Sequence, residues 1–148
     1  FVAVSVGATF ISAERSTATR TFMSPVVFHY SSILLLSLIA LIPGHTPVSL
    51  AIGIAAIAVT GLAYTTVVLV GLARASITDT ADRLGYGFFP LMAYLTMLAA
   101  AGLAAAGLPL NADLLAGALL LLLAINIRNA WDLLLAFARR IASRTPDT

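Results

Sequence analysis

The residues best able to do chemistry in this chain are one seven-residue stretch, Asn126-Ile127-Arg128-Asn129-Ala130-Trp131-Asp132, and one isolated histidine, His29. On a helix, Arg128 and Asp132 are four apart and can pair on one face, while Asn126 and Asn129, three apart, share another. Two readings of the stretch compete. In the first it is an interfacial collar, with Arg128 snorkelling to lipid headgroups and Trp131 in the aromatic belt. In the second Arg128 faces the interior of a bundle, where it binds an anionic group or pairs with an acid on another helix.

His29 stands in His29-Tyr30-Ser31-Ser32. Such a residue can carry a proton, ligate a haem or chlorin, or make a packing hydrogen bond. A lone histidine has no spacing signature, so packing is the expectation and no cofactor or metal is expected. His45 lies in a hinge at the opposite end of the apolar segment and cannot complete a bis-histidine haem site with His29. Taken together, His29, Asn126, Arg128, Asn129 and Asp132 form the candidate polar site, all on one side of a membrane. No other constellation competes. The chain has no cysteine, no His-Glu-x-x-His, no Gly-x-Ser-x-Gly and no phosphate-binding glycine loop ending in lysine, so no enzyme activity is expected.

These residues are embedded in a strongly apolar chain. Of 148 residues, 61% are hydrophobic and 9% charged, and the mean hydropathy is +1.05. From Thr21 to Ala73 there is no Asp, Glu, Lys or Arg, and the only interruption is Ile42-Pro43-Gly44-His45-Thr46-Pro47. Two apolar runs of such length are what a hydrocarbon layer about 30 Å thick requires of a helical hairpin. The net charge of +2 comes from eight scattered arginines, which read as topology signals and not as a surface for nucleic acid. The use of arginine without lysine, together with the abundance of Ala, Leu, Gly and Val, points to a GC-rich bacterial genome.

The start and stop signals predict an all-α integral membrane protein: an antiparallel transmembrane bundle of four complete spans plus the end of a fifth at the N-terminus. Ser24-Pro25 reads as an N-cap followed by proline at the first helical position, for a span over about 25–42. Thr46-Pro47 repeats the signal for 47–73. A third span over 88–108 has Pro90 in its first turn. Asn111 caps a fourth over 112–131, continued by a cytoplasmic or interfacial tail over 132–143. Residues 1–13 are apolar but about 20 Å long as a helix, so they read as the end of a helix that starts upstream. With the first helix beginning at Pro25, His29 falls near its cytoplasmic end.

Along the chain the arginines number two before the first span, none in the Pro43 hinge, two between the second and third spans, none near Pro109, and three after Asp132. The positive-inside rule then puts the C-terminus in the cytoplasm of a bacterial inner membrane and both proline hinges outside. Small residues recur at helical spacing as Gly53, Ala56, Thr60, Ala63 and Gly71 on the second span and as Ala93, Thr96, Ala100, Ala104 and Gly107 on the third. In lipid such faces let helices approach closely. The expected role is therefore a helix-packing or accessory subunit of a membrane assembly, with lipids and other transmembrane helices as partners. The alternative is a small channel or transporter whose pathway forms in a homo-oligomer, with the polar site at its inner mouth. Visible absorbance of the purified protein tests the pigment reading of His29: a colourless preparation is expected, and a Soret or chlorin band would overturn the packing assignment.

Overall fold

The computed structural model describes residues 16–74, 80–108 and 112–142. These form four helices and, among the described residues, no strand: α1 (Ser16–Leu41), α2 (Pro47–Arg74), α3 (Thr80–Ala105) and α4 (Ala112–Ala142). The main contacts run from α1 to α2, α2 to α3, α3 to α4 and α4 back to α1, so α1 and α3 lie on one diagonal of the bundle. The expected partial helix over 1–13 lies outside the described residues.

Three of the helices are long and apolar enough to cross a membrane: Pro47–Arg74, Thr80–Ala105 and Ala112–Ala136. The apolar part of α1, Pro25–Leu41, is shorter at 17 residues. Large apolar side chains point outward all along the bundle, including Leu34, Leu38, Leu41, Ile52, Val67 and Leu120, each more than half exposed. A bundle in water would bury that surface, whereas a bilayer accepts it at no cost. This is a helical membrane protein.

The α1–α2 hinge follows from its residues. Gly44 takes a left-handed φ of +83°, open to glycine without strain. Thr46 caps α2 by accepting the Ser49 N–H at 3.1 Å, and Pro47 takes the first helical position, where its missing N–H costs nothing. His45 closes the hinge, with Nε2 2.6 Å from the Ile39 carbonyl and Nδ1 3.3 Å from the Ser49 hydroxyl.

Two helix starts differ from the sequence expectation. Ser24-Pro25 does not open α1, because the helix begins at Ser16 and Pro25 is fully buried inside it. A proline within a helix is tolerated in such bundles because neighbouring helices satisfy what it disrupts. The third helix extends further back than expected, to Thr80 through a π-helical segment, Leu84–Phe88, while its main α-helical part opens at Phe89 with Pro90 in the first turn as the sequence predicts. The fourth is continuous from Ala112 to Ala142, about 46 Å long, with no break between span and tail.

Leu36, Ile54, Ala58, Ala93, Met97, Ala101 and Leu122 form the main apolar core, on the hinge side of the bundle centre. A smaller cluster of Val26, Leu72 and Tyr86 lies toward the opposite, open end. The two small-residue stripes part company here. On α3, Ala93, Ala100 and Ala104 are buried within the bundle, whereas on α2 Ala56, Thr60, Ala63 and Gly71 face outward. The glycines that matter for internal packing are others. A Cβ on Gly61 would fall inside the Tyr94 ring, and one on Gly87 would meet the flexible end of Leu69. Gly61→Ala is therefore expected to cost about 1–3 kcal/mol, Gly87→Ala less, and Gly71→Ala, which meets nothing, close to zero, as read by thermal unfolding in mild detergent.

Candidate functional site

Because α1 starts at Ser16, His29 stands halfway along it and not near its end. Its Nδ1 is 2.9 Å from the Tyr94 hydroxyl, a bond that spans the α1–α3 diagonal. Tyr94 reaches the centre because Gly61 on α2 leaves room for its ring. The His29 imidazole is enclosed by Phe28, Tyr64 and Tyr94, at centroid distances of 5.8, 6.2 and 5.6 Å, and Phe28 and Tyr64 stack on each other at 4.2 Å. The residue is only 1% exposed and ringed by aromatic side chains.

Two asparagines of α4 join the same interior. Asn126 Nδ2 donates to the Val26 carbonyl of α1 at 2.9 Å, and Asn129 Nδ2 donates to the Gly85 carbonyl of α3 at 3.0 Å. Because each partner is a carbonyl, the amide nitrogen must face it, which settles the orientation of both side chains. The second bond has a definite cause. In the π-helical segment the Phe89 N–H bonds Leu84 O, so it is not available to Gly85 O. The next residue is Pro90, which has no N–H. The Gly85 carbonyl is therefore left without a helical donor, and Asn129 supplies one from the neighbouring helix. Tyr86, in the same segment, donates its hydroxyl to the Asn129 carbonyl at 3.3 Å.

The five candidate residues thus divide between two faces of the bundle. His29, Asn126 and Asn129 are buried inside. Arg128 and Asp132 are on the outside, their side chains 43% and 45% exposed, and pair with each other at 3.6 Å. The Arg128 guanidinium lies over Gly85, where a Cβ would come within 2.6 Å of Nη1. Trp131, beside them, is 62% exposed. Arg128 therefore does not turn into the bundle interior, and its described ion-pair partner is on its own helix.

Sequence reasoning missed Tyr94; it put Thr65 near His29 at the inner end of the hairpin but not among the candidate site residues. Nothing in the local spacing singles out Tyr94. Thr65, fully buried, differs from the other helical hydroxyls: Ser31, Ser32, Ser37, Thr60, Thr66 and Thr96 all donate to the carbonyl four residues back, whereas the Thr65 hydroxyl has no protein partner. Its depth along the hairpin, level with the inner end of the first arm, and its position four residues after Gly61 on the same helical face are the signals the sequence offers. Among the described residues no cluster of His, Cys, Asp or Glu could hold a metal ion. The 480 Å³ hollow at the hinge end is lined mainly by apolar residues such as Pro47, Leu50, Ala104 and Leu108, and both nitrogens of its histidine, His45, already have partners.

Fold and interior together define a class, the helical membrane proteins with a polar centre drawn from all four helices. No protein-family model, curated protein or solved structure matches the chain.

Removing the Asn129 amide strands a buried carbonyl. Asn129→Leu is expected to destabilise by about 1–3 kcal/mol, while breaking the exposed Arg128–Asp132 pair costs below about 1 kcal/mol. Since Pro90 creates the need for Asn129, the Asn129→Leu penalty should shrink in a Pro90→Ala background. A double-mutant cycle on thermal stability reads this, and strict additivity would refute the link.

Proposed function

We propose that this chain is a polytopic protein of a bacterial inner membrane that acts as a helix-packing or accessory subunit of a larger membrane assembly. The observation that carries the reading is the outward small-residue face of α2, at Ala56, Thr60 and Ala63. In the bundle itself, small residues are used where helices meet, as at Ala93, Ala100 and Ala104 of α3. The α2 face has the same composition, and among the described residues no helix of the chain lies against it. Beside it a groove of about 280 Å³ runs between α1 and α2, lined by Phe28, Ser31, Leu35 and Thr60. A transmembrane helix of a partner, itself carrying small residues at the contact, would bury this face by close backbone approach.

In this reading α1 provides the fourth crossing, and the open end with Arg128, Trp131 and the C-terminus is cytoplasmic. The arginine distribution and the exposed Arg–Asp–Trp collar support that orientation. The alternative, a pathway at the centre of a homo-oligomer, has less support. His29, Asn126 and Asn129 turn into the protomer, so an inter-protomer mouth would draw only on Arg128 and Asp132.

Purification from native membranes in mild detergent, with mass-spectrometric identification of everything retained, should recover larger integral membrane partners. Ala56→Phe and Ala63→Phe should release them with little change in melting temperature, because both positions are exposed. A homogeneous species containing this chain alone would overturn the proposal. Independently, a fluorescent protein fused at the C-terminus should fluoresce in cells, whereas alkaline phosphatase inserted at Gly44 should be active.

A further inference from the structure

Four polar atoms fully buried in the bundle have no protein partner: His29 Nε2, Thr65 Oγ1, Asn126 Oδ1 and Asn129 Oδ1. Their residues are between 0% and 1% exposed. An orphaned buried polar atom costs about 1–3 kcal/mol, and four in one small interior are too many to attribute to imperfect packing.

The four are not scattered. Contacts between helices set their levels along the bundle axis. Tyr94 is held at the level of His29 by their hydrogen bond and abuts Gly61 of α2. Asn126 is bonded to Val26, which lies about 4.5 Å nearer the open end than His29, and Thr65 lies about 6 Å nearer the open end than Gly61. Asn129 is a further step of about 4.5 Å in the same direction, at the level of Gly85. By axial level the four residues therefore form a ladder about 9 Å long, from the bundle centre toward the open end. Leu36, Ile54, Met97 and Leu122 close it on the hinge side, and Val26, Leu72 and Tyr86 lie along its lower end.

The chemistry of the ladder specifies its occupant. Both asparagine orphans are acceptor oxygens, since their amide nitrogens are already committed to carbonyls. Thr65 and His29 Nε2 can each donate or accept, the latter by choice of tautomer. None of the four atoms hydrogen-bonds any other protein atom, one another included, so what joins them is a molecule small enough for the interior that both donates and accepts. No carboxylate is among the four to neutralise a bound cation. We propose that the interior of the bundle binds a short file of water molecules that links His29 to Asn126, Thr65 and Asn129.

Water-edited solid-state NMR on the full chain in lipid bilayers tests this. Magnetisation transferred from mobile or bound water should reach the His29 side-chain nitrogens and the Asn126 amide as early as it reaches the exposed Arg128. The equally buried Leu122 and Ala118 should lag severalfold. Thr65→Val keeps the side-chain shape and removes one rung, so the early water signal at His29 should fall while the fold, read from the unchanged Leu122 shifts, stays intact. If wild-type His29 and Asn126 polarise as slowly as Leu122, the bundle centre is dry and the proposal fails. An early signal unaffected by Thr65→Val removes Thr65 from the file.

Discussion

Pro90 cannot donate a backbone hydrogen bond, and much of the arrangement of this bundle depends on how that deficit is met. In water the freed carbonyl would be hydrated. In a helix surrounded by hydrocarbon it must find a donor from within the protein. The chain widens into a π-helical segment over Leu84–Phe88, the shortfall falls on Gly85 O, and the Asn129 side chain of α4 supplies the donor. That bond sets the axial register of α3 against α4. Gly85, lacking a Cβ, lets the Asn129 amide and the Arg128 guanidinium come close. The same segment places Tyr86 to donate back to the Asn129 backbone.

The bundle differs from a soluble one in what it leaves outside and what it takes in. Leucine, isoleucine and valine dominate its exposed surface, the charged Arg128 and Asp132 stay outside, and the uncharged polar side chains His29, Thr65, Tyr94, Asn126 and Asn129 are buried from four different helices. With lipid as apolar as any side chain, burial of leucine discriminates weakly between alternative packings, so small residues and directional hydrogen bonds take over that role. Gly61 against Tyr94 is the steric half of this arrangement, and His29–Tyr94, Asn126–Val26 and Asn129–Gly85 are the directional half. Each bond joins a different pair of helices or the same pair at a different level, which leaves few registers in which all three form.

Much of this was legible in the residues and some was not. The hinge at Pro43-Gly44 and the start at Thr46-Pro47 follow from local chemistry that no distant contact overrides. The i,i+4 spacing of Arg128 and Asp132 sufficed to foresee their pairing, and the asparagines' spacing sufficed to put them on a separate face. His29 was misplaced because Ser24-Pro25 carries a valid start signal that the extended α1 ignores. Local propensity there is overruled by a helix whose proline is buried against its neighbours. Misjudging that one boundary moved the histidine from the centre of the bundle to its edge.

By itself the sequence determined that the chain is helical, that its helices are long enough for a membrane, and where it turns, because hydropathy, proline and glycine act over a few residues. Only the tertiary structure decided which faces turn inward: that Asn126 and Asn129 are interior while Arg128 and Asp132 are not, that the small residues of α3 are consumed and those of α2 are left outside, and that Tyr94 and Thr65 belong to the polar centre. An apolar helix has no strong amphipathic stripe to announce its inner face, so its rotation about its own axis is set by the neighbours that meet its few polar and small residues.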